Sequence, residues 1–111
     1  MNRGDIVVSA APGDYGKPRP ALVVQSDLFN PTHASIVVCP ITSHLTDAPL
    51  FRLTIQPSPQ NGLQGESQIM ADKVMALKRT RIGNRIGRLR ANQMARVEVA
   101  LRTWLDLGSL R

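Results

Sequence analysis

Short apolar or alternating runs, separated by turn-forming residues, are the feature that most constrains the fold of this chain. The runs cover residues 6–8, 21–24, 36–39, 50–55, 67–72 and 74–82. Each has the length of a β-strand, and Gly, Pro, Asn and Asp residues lie between them, which is typical of a small all-β barrel or sandwich. We therefore predict a sheet over about residues 4–89 and expect Gly83 and Gly87 to mark its end.

The pattern changes to a helical period after residue 90. One face carries apolar side chains at helical spacing, namely Met94, Val97, Leu101, Trp104 and Leu105. This spacing predicts one amphipathic helix over about residues 91–107, which ends near Gly108 and packs its apolar stripe against the sheet. Arg90 occupies the N-cap position, where Ser or Asp is preferred, so the start of the helix is weakly marked. The predicted fold class is mainly β with a C-terminal helix.

The length of the chain favours one structural unit. With 111 residues it can bury a single core, so we expect one domain over residues 1–111. No apolar run approaches the ~18 residues of a membrane span, and the polar start at residues 1–5 does not resemble a signal peptide. We therefore expect a cytoplasmic protein with no membrane partner. Its single cysteine, Cys39, lies in an apolar run and is expected to be buried and structural.

Positive charge is concentrated in one segment of the sequence. The chain has 14 Lys and Arg against 8 Asp and Glu, a formal net charge of +6. Residues 73–90 contain no acid and hold the cations Lys73, Lys78, Arg79, Arg81, Arg85, Arg88 and Arg90. Such a segment favours a nucleic acid as partner, because the planar guanidinium fork suits phosphate. A solvated charged face on a basic protein is an equally weighted alternative.

A stiff basic turn precedes the second predicted strand. Pro18 and Pro20 restrict the backbone on either side of Arg19, which holds this side chain at the entrance of a strand. The preceding loop carries a carboxylate and an aromatic ring, Asp14 and Tyr15, that could close over an anion bound by Arg19. The alternative is a proline-edged turn with an ordinary solvated arginine.

The sequence lacks the spacings that metal or nucleotide cofactors require. It contains no paired Cys, no acidic cluster and no glycine-rich phosphate loop, so we expect neither a metal nor another cofactor. His33 and His44 could serve as an acid–base pair, but nothing in the sequence orients them, and we interpret them as loop residues. Polar side chains at strand ends would form an anion site if they converged; they are Arg19, Thr42, Ser43, Ser67, Gln68 and Asp72.

Five stretches in register resemble the PemK/MazF family of toxins. They begin at residues 4, 17, 38, 67 and 85, with the sequences GDIV, KPRPALVV, VCPITS, SQIMADK and RIGRL, and the apolar helix follows. The resemblance runs from about residue 3 to residue 107. It implies an SH3-like small β-barrel of the PemK/MazF/CcdB type that forms a homodimer. It also implies a ribosome-independent, sequence-specific endoribonuclease, an mRNA interferase, whose RNA groove is blocked by a cognate antitoxin.

The resemblance also assigns roles to single residues. Arg19 matches the catalytic arginine of the family, and Thr42 matches the threonine that helps to hold the scissile phosphate. Asp14 and Asp72 fall where some members carry an acidic loop residue and a base carboxylate. Those members have an arginine where this chain has Met70, so their aspartate–arginine pair does not carry over. The residues predicted to bind RNA are Tyr15, Lys17, Ser43, Ser67, Gln68, Lys73, Lys78, Arg79 and Arg81.

Two other functions fit a chain of this kind. One is a non-enzymatic toxin that poisons DNA gyrase, as CcdB relatives do, but those relatives place a tryptophan at the extreme C-terminus, whereas Trp104 lies on the helix stripe. The other is a small RNA-binding barrel without catalysis. Incubation with a long RNA distinguishes the three, because only the nuclease yields discrete fragments.

Overall fold

The computed structural model describes residues 1–13 and 17–108, which form seven strands and one long helix. The strands are β1 (Asp5–Ser9), β2 (Arg19–Val23), β3 (Ser35–Thr42), β4 (Arg52–Ile55), β5 (Ser67–Met70), β6 (Met75–Lys78) and β7 (Ile82–Arg88). The helix is α1 (Ala91–Leu105), and short 3-10 turns lie at Ala71–Lys73 and Arg79–Arg81. The predicted mainly β fold with a C-terminal helix is confirmed.

All strand pairs in the sheet are antiparallel. The strand order is β4-β5-β3-β2-β1-β7, and β6 also pairs with β3. One edge of β3 pairs with β2. The other edge pairs with β6 at its start and with β5 at its end, so the 3-10 turn between β5 and β6 lies beside the middle of β3. This long central strand therefore links every part of the sheet and ends at Thr42.

The segment predicted as one strand over residues 74–82 is two strands. β6 pairs with β3 and β7 pairs with β1, so the chain must leave one partner and reach another, and the turn Arg79–Arg81 makes this change. β7 then runs through Gly83, which therefore does not mark the end of the sheet as predicted, and it ends at Arg88, directly after Gly87. Gly87 lies against the backbone of Asn61, where a larger side chain would overlap it. Glycine at this position therefore allows the close packing of the two backbones.

The core has two parts because the central strands are buried on both faces. Ile6 and Leu22 belong to the part under the helix, while their neighbours Val7 and Val23 belong to the part on the opposite face. This alternation follows from the period of two in a strand. The second part includes Val38 and Leu77, together with the partly buried Met75.

Helix α1 covers the first part of the core with its N-terminal half. Met94, Val97 and Ala100 are buried, as the helical spacing predicts for this face. The prediction is wrong for the last turn, where Trp104 is 47% exposed and its ring contacts Phe51 at a centroid distance of 5.2 Å. At its start, the side chain of Gln93 accepts the main-chain N–H of Arg90 at 3.1 Å, which compensates for the poor N-cap.

Cys39 is fully buried in the core, as predicted. Burial raises the pKa of its thiol to about 12, so the thiol stays protonated and acts as a small apolar side chain. Within residues 1–13 and 17–108, no helix has both the length and the apolarity needed to span a membrane.

Candidate functional site

Arg19 begins β2 with its main chain fixed and its side chain exposed. The flanking prolines limit the backbone to extended geometry. Ser9 lies opposite in β1, is buried, and donates its hydroxyl to the carbonyl oxygen of Arg19 at 3.1 Å. The sequence therefore places the guanidinium group at a strand entrance on a rigid support.

Thr42 ends β3 beside Arg19. The β2–β3 ladder ends where Ala21 pairs with Pro40, two residues from Arg19 and from Thr42, and both of these residues line the same cavities. The hydroxyl oxygen of Thr42 accepts the main-chain N–H of His44 at 3.1 Å. This bond fixes the oxygen and leaves the hydroxyl proton to donate to a ligand.

Two adjoining cavities meet at this pair of residues. Their volumes are about 430 and 640 Å³. The residues that line both are Arg19, Pro20, Ile41, Thr42 and Ser43. An extended ligand that occupies both cavities would therefore pass Arg19 and Thr42 at its middle.

The smaller cavity has mainly apolar and uncharged walls. Leu63 and Ile86 line it, and Arg19 is the one charged side chain among the described residues of its wall. Asn61 shapes the loop on one side, because it is buried and its side-chain oxygen accepts the N–H groups of Ser58 and Leu63. This arrangement offers shape and apolar contact more than charge.

The larger cavity is cationic. Arg19, Arg52 and Lys73 line it together with His44, and no acidic side chain occurs among the lining residues that the structure describes. Its apolar surface comes from the half-buried Pro40, Met70 and Met75, with the core residues Val38 and Leu77 beneath them. A cationic rim over an apolar surface suits a nucleotide, whose phosphate is charged and whose base is flat and weakly polar.

Asp72 is tied to an arginine that the sequence analysis did not single out. Arg52 Nε donates to Asp72 Oδ1 at 2.7 Å, and Arg52 Nη2 donates to Asp72 Oδ2 at 3.0 Å. The two side chains are 13% and 14% exposed. This bidentate bond lowers the pKa of Asp72 and raises that of Arg52. Asp72 is therefore ionised, with both carboxylate oxygens occupied.

The partner of Asp72 comes from a neighbouring strand. Arg52 in β4 lies directly opposite Met70 in β5. The guanidinium group that binds Asp72 is thus supplied from across the ladder and not from position 70. The sequence signal for Arg52 was its place on the polar side of an alternating strand, but only the strand register connects it to Asp72.

Gln68 and Ser67 hold the main chain around the site. The side-chain amide of Gln68 is buried, accepts the N–H of Thr46 at 3.0 Å, and donates to the carbonyl oxygen of Thr46 at 2.8 Å. Gln68 also lies opposite Thr42 in the β3–β5 pair, so it fixes the loop that follows Thr42. Ser67 lines the smaller cavity and donates its hydroxyl to Gly65 at 2.9 Å.

The basic segment does not form one continuous surface. Lys73 lines the larger cavity, whereas Lys78 is exposed at the end of β6, opposite Ser35. Arg79 donates to the carbonyl oxygens of Asn30 and His33. Arg81 donates to the carbonyl oxygen of Ala10 at 3.3 Å. Of the four cations predicted to line the groove, the structure places Lys73 in the cavity with Arg19.

The remaining predicted residues lie at or beyond the edge of this site. Lys17 is exposed just before β2, and Asp14 and Tyr15 fall outside the described residues. His33 bonds to the main chain of Ser35 and lies on the loop held by Arg79, apart from the cavities. His44 lines the larger cavity, so the structure separates the two histidines instead of pairing them.

The described part of the chain holds no group of three or more His, Cys, Asp or Glu side chains placed to bind one metal ion.

Comparison of the sequence with known families gives one match over nearly the whole chain. Residues 2–105 match the family described as PemK-like, MazF-like toxin of type II toxin–antitoxin system. The chain is 46% identical over 109 residues to the probable endoribonuclease MazF of Mycolicibacterium smegmatis, covering 97% of this chain and 99% of that protein. It is 30% identical over 118 residues to endoribonuclease MazF9 of Mycobacterium tuberculosis, covering 98% and 99%.

Solved structures share the fold. An endoribonuclease in complex with its cognate antitoxin, from a mycobacterial species, superposes with a TM-score of 0.82 at 24% identity and covers 99% of both chains. A MazE–MazF complex from Deinococcus radiodurans gives a TM-score of 0.77 at 27% identity and covers 96% of both chains. The sheet and helix described above therefore have the architecture of known toxin structures.

Proposed function

The chain belongs to the PemK-like, MazF-like toxin family of type II toxin–antitoxin systems, and from this premise we propose that it is an endoribonuclease toxin. Acting as a single domain, it cleaves single-stranded RNA, above all mRNA, at a specific sequence and without a metal ion. A cognate antitoxin inhibits it. The observation that carries the proposal is the meeting of two cavities at Arg19 and Thr42.

Arg19 and Thr42 supply what a phosphodiester needs in order to react. The scissile phosphate lies between the two cavities, with one flanking nucleotide in each. The Thr42 hydroxyl donates to a non-bridging oxygen, and Arg19 neutralises the charge that grows on the phosphorus centre in the transition state. Because both groups sit on strand ends with fixed main chains, little reorganisation is required.

The nucleophile is the 2′-hydroxyl of the RNA itself. It loses its proton and attacks the adjacent phosphorus, the bond to the 5′-oxygen breaks, and that oxygen takes up a proton delivered by Arg19, so that the products are a 2′,3′-cyclic phosphate and a 5′-hydroxyl end. This reaction needs no metal-bound water, since the substrate carries its own nucleophile. DNA lacks the 2′-hydroxyl and is not cut.

The proton of the 2′-hydroxyl needs an acceptor. Asp72 is poorly suited, because both of its oxygens bind Arg52 and its pKa is lowered. Two candidates remain, namely His44 on the wall of the larger cavity and Asp14 outside the described residues. The pH dependence of the cleavage rate in His44→Gln and in Asp14→Asn decides between them, because a base acts only when unprotonated and only loss of the true acceptor removes the fall in rate at low pH.

Sequence specificity follows from the unlike walls of the two cavities. The smaller one selects by shape and apolar contact, and the larger one combines cations with an apolar surface. Two flanking bases would therefore meet different chemistry on the two sides of the cut.

The same basic cavity suits an acidic peptide of an antitoxin, which folds on binding and competes with RNA. The related MazF of Deinococcus radiodurans has been solved with its MazE partner. We further propose a homodimer, because the exposed strand β7 lies at the edge of the sheet and another chain can cover it.

The test is cleavage of a long RNA by purified protein in excess EDTA. We expect discrete fragments that share a local sequence at their ends, with 2′,3′-cyclic phosphate and 5′-hydroxyl termini. A 2′-deoxy substitution at the mapped cut should abolish cleavage there. Activity that disappears in EDTA and returns with Mg²⁺, or intact RNA throughout, would contradict the proposal.

A further inference from the structure

In the ion pair of Arg52 and Asp72, the arginine lines the larger cavity and the aspartate lies behind it. Asp72 takes the Nε–H of Arg52 and one N–H of Nη2, which leaves three of the five guanidinium N–H groups. Among the described residues, the hydrogen bonds of Arg52 go to Asp72 alone. Arg52 lines the larger cavity, and Asp72 is not among its described lining residues. The carboxylate thus fixes the plane of the guanidinium group from behind.

Such a pair stabilises a fold only weakly. Both side chains are about seven-eighths buried, and removing two charges from water costs roughly what their attraction returns. A bidentate bond nevertheless gives the guanidinium group one fixed orientation. An arginine held in this way can bind a phosphate without losing further side-chain entropy.

Lys73 stands next to this arginine. It follows Asp72 in the 3-10 turn Ala71–Lys73 and lines the same cavity. Arg19, which the proposed mechanism assigns to the scissile phosphate, lines the cavity as well. The larger cavity therefore holds more cations than one phosphate requires, whereas the smaller cavity has Arg19 as its one described charged side chain.

We propose that Arg52 and Lys73 form a second phosphate subsite, which binds the RNA backbone phosphate next to the scissile one, and that Asp72 is the positioning residue that orients Arg52. The inference rests on the proposed endoribonuclease function. It predicts that only one of the two phosphates next to the scissile phosphate is bound by the protein. On the side of the larger cavity, that phosphate meets Arg52 and Lys73. On the side of the smaller cavity, the described wall has no charged side chain other than Arg19.

The test measures the binding of a short RNA that spans the mapped cut and carries a 2′-O-methyl group there, so that it binds without being cleaved. Arg52→Gln should weaken this binding about tenfold and reduce the slope of log K against log salt by about 0.7. Arg96→Gln is the matched control, because it removes one charge from an exposed position on α1, away from the cavity. It should leave affinity and slope close to those of the unmodified protein.

Neutral methylphosphonate linkages, placed one at a time, then locate the contact. In the unmodified protein, the linkage next to the cut should weaken binding, and in Arg52→Gln the same linkage should have no further effect. Asp72→Asn should behave like Arg52→Gln in affinity, while the single-turnover rate at saturating RNA stays within about threefold. A general base at position 72 would instead lower that saturating rate and leave affinity unchanged.

Arg52→Gln leaves Asp72 without its ion pair, so the double variant Arg52→Gln/Asp72→Asn provides a neutral pair of the same size. If it melts like the unmodified protein and still binds RNA with unchanged affinity, the subsite does not exist. If the unmodified protein leaves the RNA intact, the nuclease proposal itself fails, and if Arg19→Ala cleaves at an unchanged rate, the catalytic role of Arg19 fails. Loss of cleavage in Arg19→Ala with equal binding by the Arg52 and Arg96 variants overturns the subsite alone.

Discussion

Two arginine-bearing regions of this molecule differ in where their guanidinium groups lie. At the larger cavity, Arg19 and Arg52 line the wall, and the carboxylate that holds Arg52 stands behind it. In the segment over residues 73–90, the arginines bind carbonyl oxygens or the carboxylate of Asp5. Positive charge along a sequence therefore indicates a class of partner, but it does not locate the surface that binds it.

Strand pairing explains the difference. Residues 73–90 contain no acid, yet the β1–β7 register brings Asp5 opposite Arg88 from the other end of the chain. Asp5 is buried, accepts a hydrogen bond from Arg88 at 2.9 Å, and forms an ion pair with Arg85 Nε at 3.2 Å. A segment that is acid-free in sequence is thus partly neutralised in space.

The largest expected effect separates the two regions by activity. Arg19→Ala should lower the single-turnover cleavage rate by a factor on the order of 10²–10³, because it removes stabilisation of transition-state charge. Arg85→Gln removes an equal charge from the other region and should change the rate by less than about threefold, since Arg85 is 57% exposed and paired with Asp5. Circular dichroism and sedimentation confirm that each variant is folded. Equal losses of cleavage rate in Arg19→Ala and Arg85→Gln would contradict a functional difference between the two regions.

The next effect separates the regions by stability. Asp5→Asn should lower the free energy of unfolding by about 2 kcal/mol, because it breaks a buried, charge-assisted network that ties β7 to β1. Urea titration measures the change, and Asp47→Asn at an exposed position is the control, with an expected change below about 0.5 kcal/mol. If the two variants have the same free energy of unfolding, Asp5 does not tie the arginines of β7 to the sheet, and those arginines would be available to bind RNA.

Much of the fold could be predicted from local sequence. Apolar alternation located the strands, and helical spacing located α1, because both depend on neighbours in the chain. The split of residues 74–82 into two strands could not be predicted in this way. It depends on a change of partner, because β6 pairs with β3 and β7 pairs with β1. Each of these partners lies more than 30 residues away in sequence. The 47% exposure of Trp104, on the same stripe as the buried Met94 and Val97, could not be predicted from helical spacing either.

The candidate site likewise has residues that local sequence could predict and residues that it could not. Arg19 and Thr42 stand at strand ends in recognisable local motifs, and the structure brings them to one wall; their catalytic roles stay a prediction. The ion pair of Arg52 and Asp72 joins residues 20 positions apart through the β4–β5 register, so no local pattern contains it. Gln68 has a polar side chain that looked available to RNA, but it closes a loop instead.

The smallest expected effect concerns how Asp72 holds Arg52, and it appears in the pH dependence of stability. Hydrogen bonding to Arg52 lowers the pKa of Asp72 from its ordinary value of 3.8. The ionised carboxylate is the stabilised form, so its contribution is fully present above that value and is lost as the pH falls through the lower pKa of the folded state. The unmodified protein should exceed Asp72→Asn in free energy of unfolding by about 1 kcal/mol at neutral pH. The gap should narrow as the pH falls below 3.8 and close once the carboxylate is protonated in the folded state as well. Asp27→Asn is the control, because the pKa of Asp27 is also lowered although its carboxylate does not contact Arg52; that variant should keep the acid-dependent loss that belongs to Asp72. If the difference in free energy of unfolding between the unmodified protein and Asp72→Asn stays constant from neutral to acid pH, Asp72 does not hold Arg52 through its charge. Arg52 would then lack the fixed orientation that distinguishes it from the arginines of β7.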